Sequence, residues 1–246
     1  MYTKRYTRNG FLIIEFPVEK FKLLYWDRYK NSAQYSNCFN AGFFAPYAEI
    51  VNGVKQPFTM PVANICVDSS VGIPALGKKY LNEWTRDTGL LYGKVKLSCY
   101  QNGAPDYHKN AVSTLVISNS NTAKIVDINA LPVDCKYAIS GVPCIRGGED
   151  VSWKDYVAPQ GWGGGVMYAT YRNWLGTGED KMFLISGRTY ASNYIYGMEF
   201  YNKVKNLGIK DCIGLDGGGS YFLRLDGKNV KRTLENRRIN SIGLIW

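Results

Sequence analysis

The residues best suited to chemistry lie in one glycine-rich segment, 213–220, with the sequence I-G-L-D-G-G-G-S. Its second part, 215–220, is called the glycine loop below, and it carries one carboxylate (Asp216) and one hydroxyl (Ser220). Glycines reach positive φ and let a ligand approach the main chain, and amides exposed in this way can bind an anion. The loop could instead be a tight turn in which the aspartate caps its own backbone.

The rest of the chain excludes several kinds of active site. Its single histidine, His108, rules out a histidine-rich metal site and would have to serve in any Ser-His-Asp triad. No G-x-S-x-G elbow, Walker loop or G-x-G-x-x-G pattern is present, which disfavours serine-hydrolase and nucleotide-dependent chemistry. The sequence requires no cofactor, and a divalent cation held by carboxylates near Asp216 stays open.

The cysteines show no metal-binding spacing, because none of the six forms a C-x-x-C pair. Cysteine packs well as a small apolar residue, so we expect buried thiols, with one or more disulfides as the alternative. The residues are Cys38, Cys66, Cys99, Cys135, Cys144 and Cys212.

The charge balance favours an anionic partner. The 246 residues include 30 Lys and Arg against 20 Asp and Glu, a formal net charge of +10. Phosphate, nucleic acid and a cell-wall polyanion would all match this charge. The basic residues are scattered apart from the run 228–238, which disfavours a dedicated nucleic-acid arm. The apolar run 11–14 ends at Glu15, so we expect no signal peptide and no membrane span.

The elements that must position the glycine loop are mostly strands. Segments rich in β-branched and aromatic residues predict strands at 10–16, 94–99, 114–118 and 181–186. Apolar residues recur at helical spacing over about 192–207 and Gly208 follows as a C-cap, which predicts a helix. The remaining predictions are strands at 212–215, 221–225 and 239–245, and an Asp226-Gly227 turn.

This order of elements leads to a prediction of fold class. A strand, a crossover helix and a second strand favour a parallel pair, whereas the Asp-Gly turn favours an antiparallel hairpin. We therefore predict an α+β fold with a mixed, largely antiparallel sheet and a few packed helices, in a single domain over 1–246. The glycine-rich stretch 147–165 is predicted to be a long surface loop beside the site.

Five segments, in order along the chain, resemble the motifs of the phosphodiester glycosidase family. The glycine loop resembles the end of the family's N-L-D-G-G-G-S signature. The others are 40–44 (N-A-G-F-F) for N-G-G-F-F, 138–143 (A-I-S-G-V-P) for A-x-S-G-x-P, 185–188 (I-S-G-R) for V-D-G-R, and 236–239 (N-R-R-I) for E-R-x-V. The resemblance extends from about residue 10 to the C-terminus.

The resemblance implies a hydrolase that cleaves glycosyl phosphodiesters, of the N-acetylglucosamine-1-phosphodiester type, at the anomeric carbon. A phosphomonoester leaves with little need of protonation, so such a site must chiefly stabilise charge. Asp216 would be nucleophile, base or electrostatic stabiliser, and Glu199 a second carboxylate, unless it is only a solvated charge on the helix. The implied substrate-binding residues are Asn40, Gly42, Arg172, Arg188, Gly217, Gly218, Gly219, Ser220 and Arg237.

Arginines are the expected phosphate ligands, because a planar guanidinium donates two hydrogen bonds and stays protonated. Arg188 and Arg237 match family positions and are the predicted clamps, although both could be ordinary surface charges. Arg172 is the candidate for the arginine of the family's R-T-A-x-G segment, which the sequence at 164–176 otherwise fits poorly. Asn40 would contact sugar hydroxyls or only hold a turn.

Three departures accompany the resemblance: Gly214 stands where the family has Asn, Ser186 where it has Asp, and Ala41 where it has Gly. They motivate an alternative, a non-catalytic carbohydrate- or phosphate-binding module on the same fold. A nucleic-acid-associated protein is a third and disfavoured interpretation, motivated by the net charge and the 19 tyrosines. The expected setting is cytoplasmic, or phage-encoded and virion-associated, with a glycosyl phosphodiester or an anionic glycan such as teichoic acid as substrate.

Overall fold

In the computed structural model the described part of the chain comprises residues 3–29, 34–42, 44–61, 65–66, 113–127, 134–151, 170–189, 196–232 and 238–246. Strands dominate this part. In chain order they are β1 (Lys4–Arg8), β2 (Phe11–Phe16), β3 (Phe21–Tyr29), β4 (Cys38–Asn40), β5 (Phe44–Val51), β6 (Val54–Pro61), β7 (Ile65–Cys66), β8 (Ser113–Ser118), β9 (Ala123–Asp127), β10 (Cys135–Arg146), β11 (Glu149–Asp150), β12 (Tyr171–Thr177), β13 (Met182–Arg188), β14 (Asp211–Gly214), β15 (Phe222–Leu225), β16 (Lys228–Arg232) and β17 (Arg238–Ile245).

These strands form two sheets and a separate hairpin. The larger sheet has the order β1-β2-β13-β12-β14-β10-β8-β9, with β7 and β11 also paired to β10. The smaller sheet has the order β16-β15-β4-β17-β3, and β5 pairs only with β6 among the described strands. Every strand pair in the described residues is antiparallel.

Alternation along the strands of the larger sheet divides its side chains between two apolar layers. On one face Trp174 belongs to a buried cluster with Phe200. On the other face Leu175 and Leu184 belong to a cluster with Phe39 of the smaller sheet. The larger sheet therefore lies between a helical layer and the smaller sheet.

The helical layer contains one helix in the described residues, α1 (Tyr196–Val204). Phe200 and Val204, one turn apart, are buried on the side that faces the sheet. A short 3-10 turn, Lys205–Leu207, extends the helix to Gly208, which has a left-handed φ of 75°. The ring of Phe200 stacks on the indole of Trp174 with 4.6 Å between centroids, which anchors α1 to the larger sheet.

The predicted α+β class is wrong. The described residues are mostly strand with one helix, and their two sheets are antiparallel rather than mixed. β13 and β14 do run in the same direction, but β12 lies between them and pairs with both. The prediction of a parallel pair failed because β12 and β13 form a local antiparallel hairpin. The sequence hides β12, because Arg172, Asn173 and Gly176 interrupt its apolar residues.

Most local predictions around the site are confirmed. The strands predicted at 10–16, 114–118 and 181–186 correspond to β2, β8 and β13, and the predicted helix and its Gly208 cap are present. Asp226 and Gly227 form the predicted turn, with φ of 51° and 73°. The strand predicted at 94–99, His108 and residues 152–165 of the predicted long loop lie outside the described residues.

Two further expectations concern thiols and membranes. The structure describes the side chains of four of the six cysteines, and these four are buried thiols, as predicted: Cys38, Cys135, Cys144 and Cys212. Burial raises the pKa of Cys144 to about 12, so this thiol stays protonated at neutral pH. In the described ranges no helix has the length and apolar character needed to cross a membrane.

Candidate functional site

The glycine loop is the crossing from the larger sheet to the smaller one. β14 ends at Gly214 in the larger sheet, and β15 begins at Phe222 in the smaller sheet. Between them the amides of Ser220 and Tyr221 donate to the carbonyls of Gly217 and Gly218, each at 3.1 Å, and form a 3-10 turn. Gly218 has a φ of 57°, which glycine adopts without strain. Both sheets therefore determine where the loop lies.

Gly217 touches the first residues of β12. A Cβ at this position would lie 2.6 Å from both the carbonyl oxygen of Tyr171 and Cγ of Arg172. Real Cβ atoms do not approach other heavy atoms so closely, so close packing requires the glycine here. The glycine loop rests directly on the end of β12.

Arg172 is buried beneath the loop, with 2% of its surface exposed. Its Nη1 donates a hydrogen bond of 3.3 Å to the carbonyl oxygen of Leu215, at the start of the loop. A guanidinium stays protonated, so this side chain places a positive charge under the glycine amides. We predicted Arg172 as a substrate-binding residue, and the structure places it behind the loop main chain, where its charge favours an anion on the outer side.

Asp216 is fixed to the loop by its own neighbour. Its Oδ1 accepts a hydrogen bond of 2.9 Å from the amide of Gly217, and the residue is partly exposed. The bond joins adjacent residues, whereas an aspartate that caps its own turn accepts from the amide two residues on. It holds the carboxylate in one orientation at the protein surface.

Asn40 ties the smaller sheet to the end of the loop. The side chain is fully buried at the end of β4, and its Nδ2 donates to the carbonyl oxygen of Ser220 at 3.0 Å. The amide of Gly42 donates back to Asn40 Oδ1 at 3.4 Å. Ser220 is itself buried, with 2% exposure. Asn40, Gly42 and Ser220, all predicted site residues, are thus brought together, with Asn40 and Ser220 facing the protein interior.

Arg188 lies at the same end of the larger sheet as the loop. It pairs with Tyr171 across β13 and β12, and its guanidinium lies 5.9 Å from the centre of the Tyr171 ring. That ring in turn contacts Tyr221, with 5.5 Å between centroids. Arg188 is exposed at the protein surface. The two tyrosines were not predicted as site residues.

A buried polar network lies behind these tyrosines. Ser186 Oγ donates to Asn173 Oδ1 at 2.8 Å and shares a 2.8 Å hydrogen bond with the hydroxyl of Tyr221. Asn173 Nδ2 donates to the carbonyl oxygen of Phe222 at 3.1 Å. Burial raises the pKa of Tyr221 to about 12, so its hydroxyl remains protonated. The sequence signal for this network was one polar residue, Asn173, next to Trp174 and Leu175 in a buried strand.

The register of the larger sheet shows what lies opposite Gly214 and Ser186, two of the three positions at which the sequence departs from the motifs it resembles. If Arg172 is aligned with the arginine of the R-T-A-x-G motif, Trp174 stands at the Ala position of that motif. Trp174 pairs with Gly214 across β12 and β14. A Cβ at Gly214 would lie 3.4 Å from the Trp174 indole and from Cys144 Sγ, in van der Waals contact with both, so this position is closely surrounded. In the same way Ser186 pairs with Asn173, and these two polar side chains hydrogen-bond to each other.

Two predicted residues are not joined to this group. Glu199 lies on α1, where its carboxylate forms an ion pair of 2.8 Å with Lys203 one turn on. This helix covers one face of the larger sheet, whereas Tyr221 belongs to the apolar layer on the other. Arg237 lies outside the described residues. For metals, the described ranges contain no group of three His, Cys, Asp or Glu side chains that could hold an ion.

Comparison with known proteins shows a relationship in fold. No protein-family model and no curated protein matches the sequence. Among solved structures, the catalytic domain of zebrafish N-acetylglucosamine-1-phosphodiester alpha-N-acetylglucosaminidase, auto-inhibited by its pro-peptide, is similar with a TM-score of 0.57 and 16% identity. The similarity covers 99% of this chain and 81% of the zebrafish chain.

Two bacterial proteins are similar to a lesser degree. A hypothetical protein from Synechocystis has a TM-score of 0.52 at 13% identity, over 99% of this chain and 61% of its own. A putative exported protein from Burkholderia pseudomallei K96243 has a TM-score of 0.51 at 13% identity, over 96% of this chain and 73% of its own. At these identities the similarity establishes the fold alone: the chain shares the fold of a phosphodiester glycosidase catalytic domain.

Proposed function

We propose that the protein is a hydrolase that cleaves glycosyl phosphodiesters at the anomeric carbon, with an N-acetylglucosamine-type sugar. One observation carries the proposal. A partly exposed carboxylate, Asp216, is held on a glycine loop that rests on the buried guanidinium of Arg172. The fold shared with the zebrafish catalytic domain supports the same reaction class.

The proposed chemistry divides the site between phosphate and sugar. The exposed guanidinium of Arg188 and the amide of Gly218 bind the phosphodiester, and Arg172 adds positive charge from below. The bond between C1 and the bridging oxygen breaks, the phosphomonoester leaves with both bonding electrons, and water supplies the hydroxyl at C1. Asp216 stabilises the oxocarbenium-like transition state or attacks C1 as nucleophile.

Arg237 and Glu199 have minor roles in the proposed reaction. Arg237 is a second phosphate clamp. Glu199 is a weak candidate for a second carboxylate, because Lys203 already neutralises it. A divalent cation is not required by these residues, and unchanged turnover after dialysis against a chelator is the expected result. An anionic glycan of a cell surface, such as teichoic acid, is the proposed natural substrate, in a cytoplasmic or phage-encoded setting.

The test is turnover of a panel of N-acetylglucosamine-1-phosphodiesters, followed by phosphorus NMR. We expect release of a phosphomonoester by the wild type, and Asp216→Asn to lower kcat by roughly 10²-fold or more, the scale of a lost charge-stabilising group. Asp226→Asn is the matched control, because this exposed aspartate lies in the turn after β15 and pairs with Arg5. An intact panel, or equal rates in the two variants, would contradict the proposal.

One observation favours a second candidate, a non-catalytic module that binds carbohydrate or phosphate. The Asp216 carboxylate already accepts a hydrogen bond from the main chain of Gly217, so part of its hydrogen-bonding capacity serves the loop itself. This candidate predicts that calorimetry with N-acetylglucosamine-1-phosphate gives the same affinity for wild type and Asp216→Ala, with turnover in neither. A drop in turnover confined to the variant would exclude it.

A further inference from the structure

Both ends of the glycine loop are held by one residue of β12. The main-chain carbonyl of Asn173 accepts a hydrogen bond of 2.9 Å from the amide of Leu215, where the loop begins. Its side-chain Nδ2 donates to the carbonyl of Phe222 at 3.1 Å, two residues after the loop ends. Asn173 is fully buried. Asn173 therefore links the entry of the loop to the residue just beyond its exit, in addition to the bonds that Arg172 and Asn40 make to the loop.

The side-chain amide of Asn173 is held in turn by Ser186. The Ser186 hydroxyl donates to Asn173 Oδ1 at 2.8 Å, and Ser186 itself is 4% exposed. These two partners fix which way the amide points, because a flipped amide would set its oxygen against the carbonyl of Phe222. Because the Asn173 amide is already held at both its oxygen and its nitrogen, little further conformational entropy is lost there when a ligand binds.

We infer that Asn173 is a positioning residue for the glycine loop. By fixing both ends of the loop it sets the orientation of the Asp216 carboxylate and of the glycine amides toward a ligand. The expected effect of Asn173 on turnover rests on the proposed function. Its expected effect on the stability of the loop does not. The hydrogen bonds described for Asn173 join it to Leu215, Phe222 and Ser186, so we expect it to act through the loop.

Asn173→Asp gives the sharpest test, because it keeps the shape of the side chain and replaces only the Nδ2 donor. A neutral Asp can donate to the Phe222 carbonyl in place of Nδ2, whereas its carboxylate cannot, and burial raises the pKa of such a carboxyl. The measurement is hydrogen exchange of the Ser220 and Tyr221 amides, corrected for intrinsic rates. We expect exchange roughly tenfold faster than in the wild type at about pH 8, and within about twofold of it at about pH 5. Asn173→Ala is expected to exchange fast at both.

Thr114→Val is the matched control. Thr114 Oγ1 and Ser140 Oγ form a buried hydrogen bond of 2.9 Å in the same sheet, between β8 and β10. Its loss removes a bond of the same kind away from the loop, so the loop amides should exchange as in the wild type. The inference fails if Thr114→Val accelerates loop exchange as much as Asn173→Ala, or if loop exchange in Asn173→Ala is the same as in the wild type.

The exchange experiment uses no substrate, so it separates this inference from the proposed function. If the wild type cleaves the diester panel, Asn173→Asp should lower kcat at the higher pH with little change in KM, and recover toward the wild type at the lower pH. If the wild type cleaves nothing, the proposed function fails, and the exchange rates alone still decide the role of Asn173.

Discussion

At the scale of single residues, the loop is specified by what lies next to it. The Asp216 carboxylate accepts a hydrogen bond from the Gly217 amide, and Gly217 has no room for a side chain beside Tyr171 and Arg172. The spacing of Asp216 and the glycines can be read from the sequence. Asn173 and Tyr171 were missed, because a buried polar or aromatic residue at a strand end looks like any interruption of an apolar pattern.

Gly217→Ala tests the close packing of the loop on β12. The new Cβ would lie 2.6 Å from a backbone oxygen, so we expect a loss of about 1–3 kcal/mol in the free energy of unfolding. Gly214→Ala is the control, since its Cβ would make only ordinary contacts at 3.4 Å and should stay within about 1 kcal/mol of the wild type. Urea unfolding measures both, and equal losses would contradict the packing described for Gly217.

Tyr221 predicts a pH dependence of stability. Burial raises its pKa from 10.0 to about 12, with Ser186 acting in the opposite direction. A hydroxyl whose pKa is higher in the folded state contributes stability that is complete below the unfolded pKa and is lost as pH rises through the folded pKa. Stability should therefore fall between about pH 10 and 12, and Tyr221→Phe should make this fall shallower. An unchanged slope in urea unfolding would contradict this assignment.

At the scale of elements, local patterns predicted far more than pairing did. The hairpin β15–β16 follows from its Asp226-Gly227 turn, and α1 from its apolar spacing and Gly208. The position of β12 between β13 and β14 could not be predicted in this way, because it depends on long-range pairing that leaves no periodic signal. Since β12 supports the glycine loop, missing this strand also hid the roles of Tyr171 and Asn173.

The pairing of β12 with β14 predicts an energetic coupling between Trp174 and Gly214. Gly214→Asn should cost about 1–3 kcal/mol in the wild type, because the Trp174 indole occupies the space. The same change in a Trp174→Ala background should cost less, with a coupling of roughly 0.5–3 kcal/mol in a double-mutant cycle. Additive effects in urea unfolding would show that the two positions are independent and that Gly214 has another explanation.

At the scale of the whole molecule, the net charge of the protein matches the anionic substrate that we propose. The chain shares the fold of a catalytic domain that acts on a phosphodiester, and it carries a formal net charge of +10. A positive protein attracts a long anionic glycan over distances near the screening length of the solvent. The exposed Arg188, which lies near the loop, would bind a phosphate of the glycan in the proposed site.

This charge predicts a salt dependence that differs between substrates. For a polyanionic glycan phosphodiester, kcat/KM should fall roughly tenfold between about 0.05 and 0.5 M salt, because screening removes long-range attraction. For a small diester with one phosphate the fall should be much weaker. Steady-state kinetics at matched pH measures both, and equal salt dependence would argue against a polyanionic substrate.

The bond that breaks is the most direct test of the proposed reaction. When an N-acetylglucosamine-1-phosphodiester is cleaved in water labelled with heavy oxygen, mass spectrometry shows which product carries the label. Attack at the anomeric carbon places the label on the released sugar and leaves the phosphomonoester unlabelled. Label in the phosphate would mean cleavage at phosphorus, and it would contradict the glycosidase chemistry proposed for Asp216 and the glycine loop.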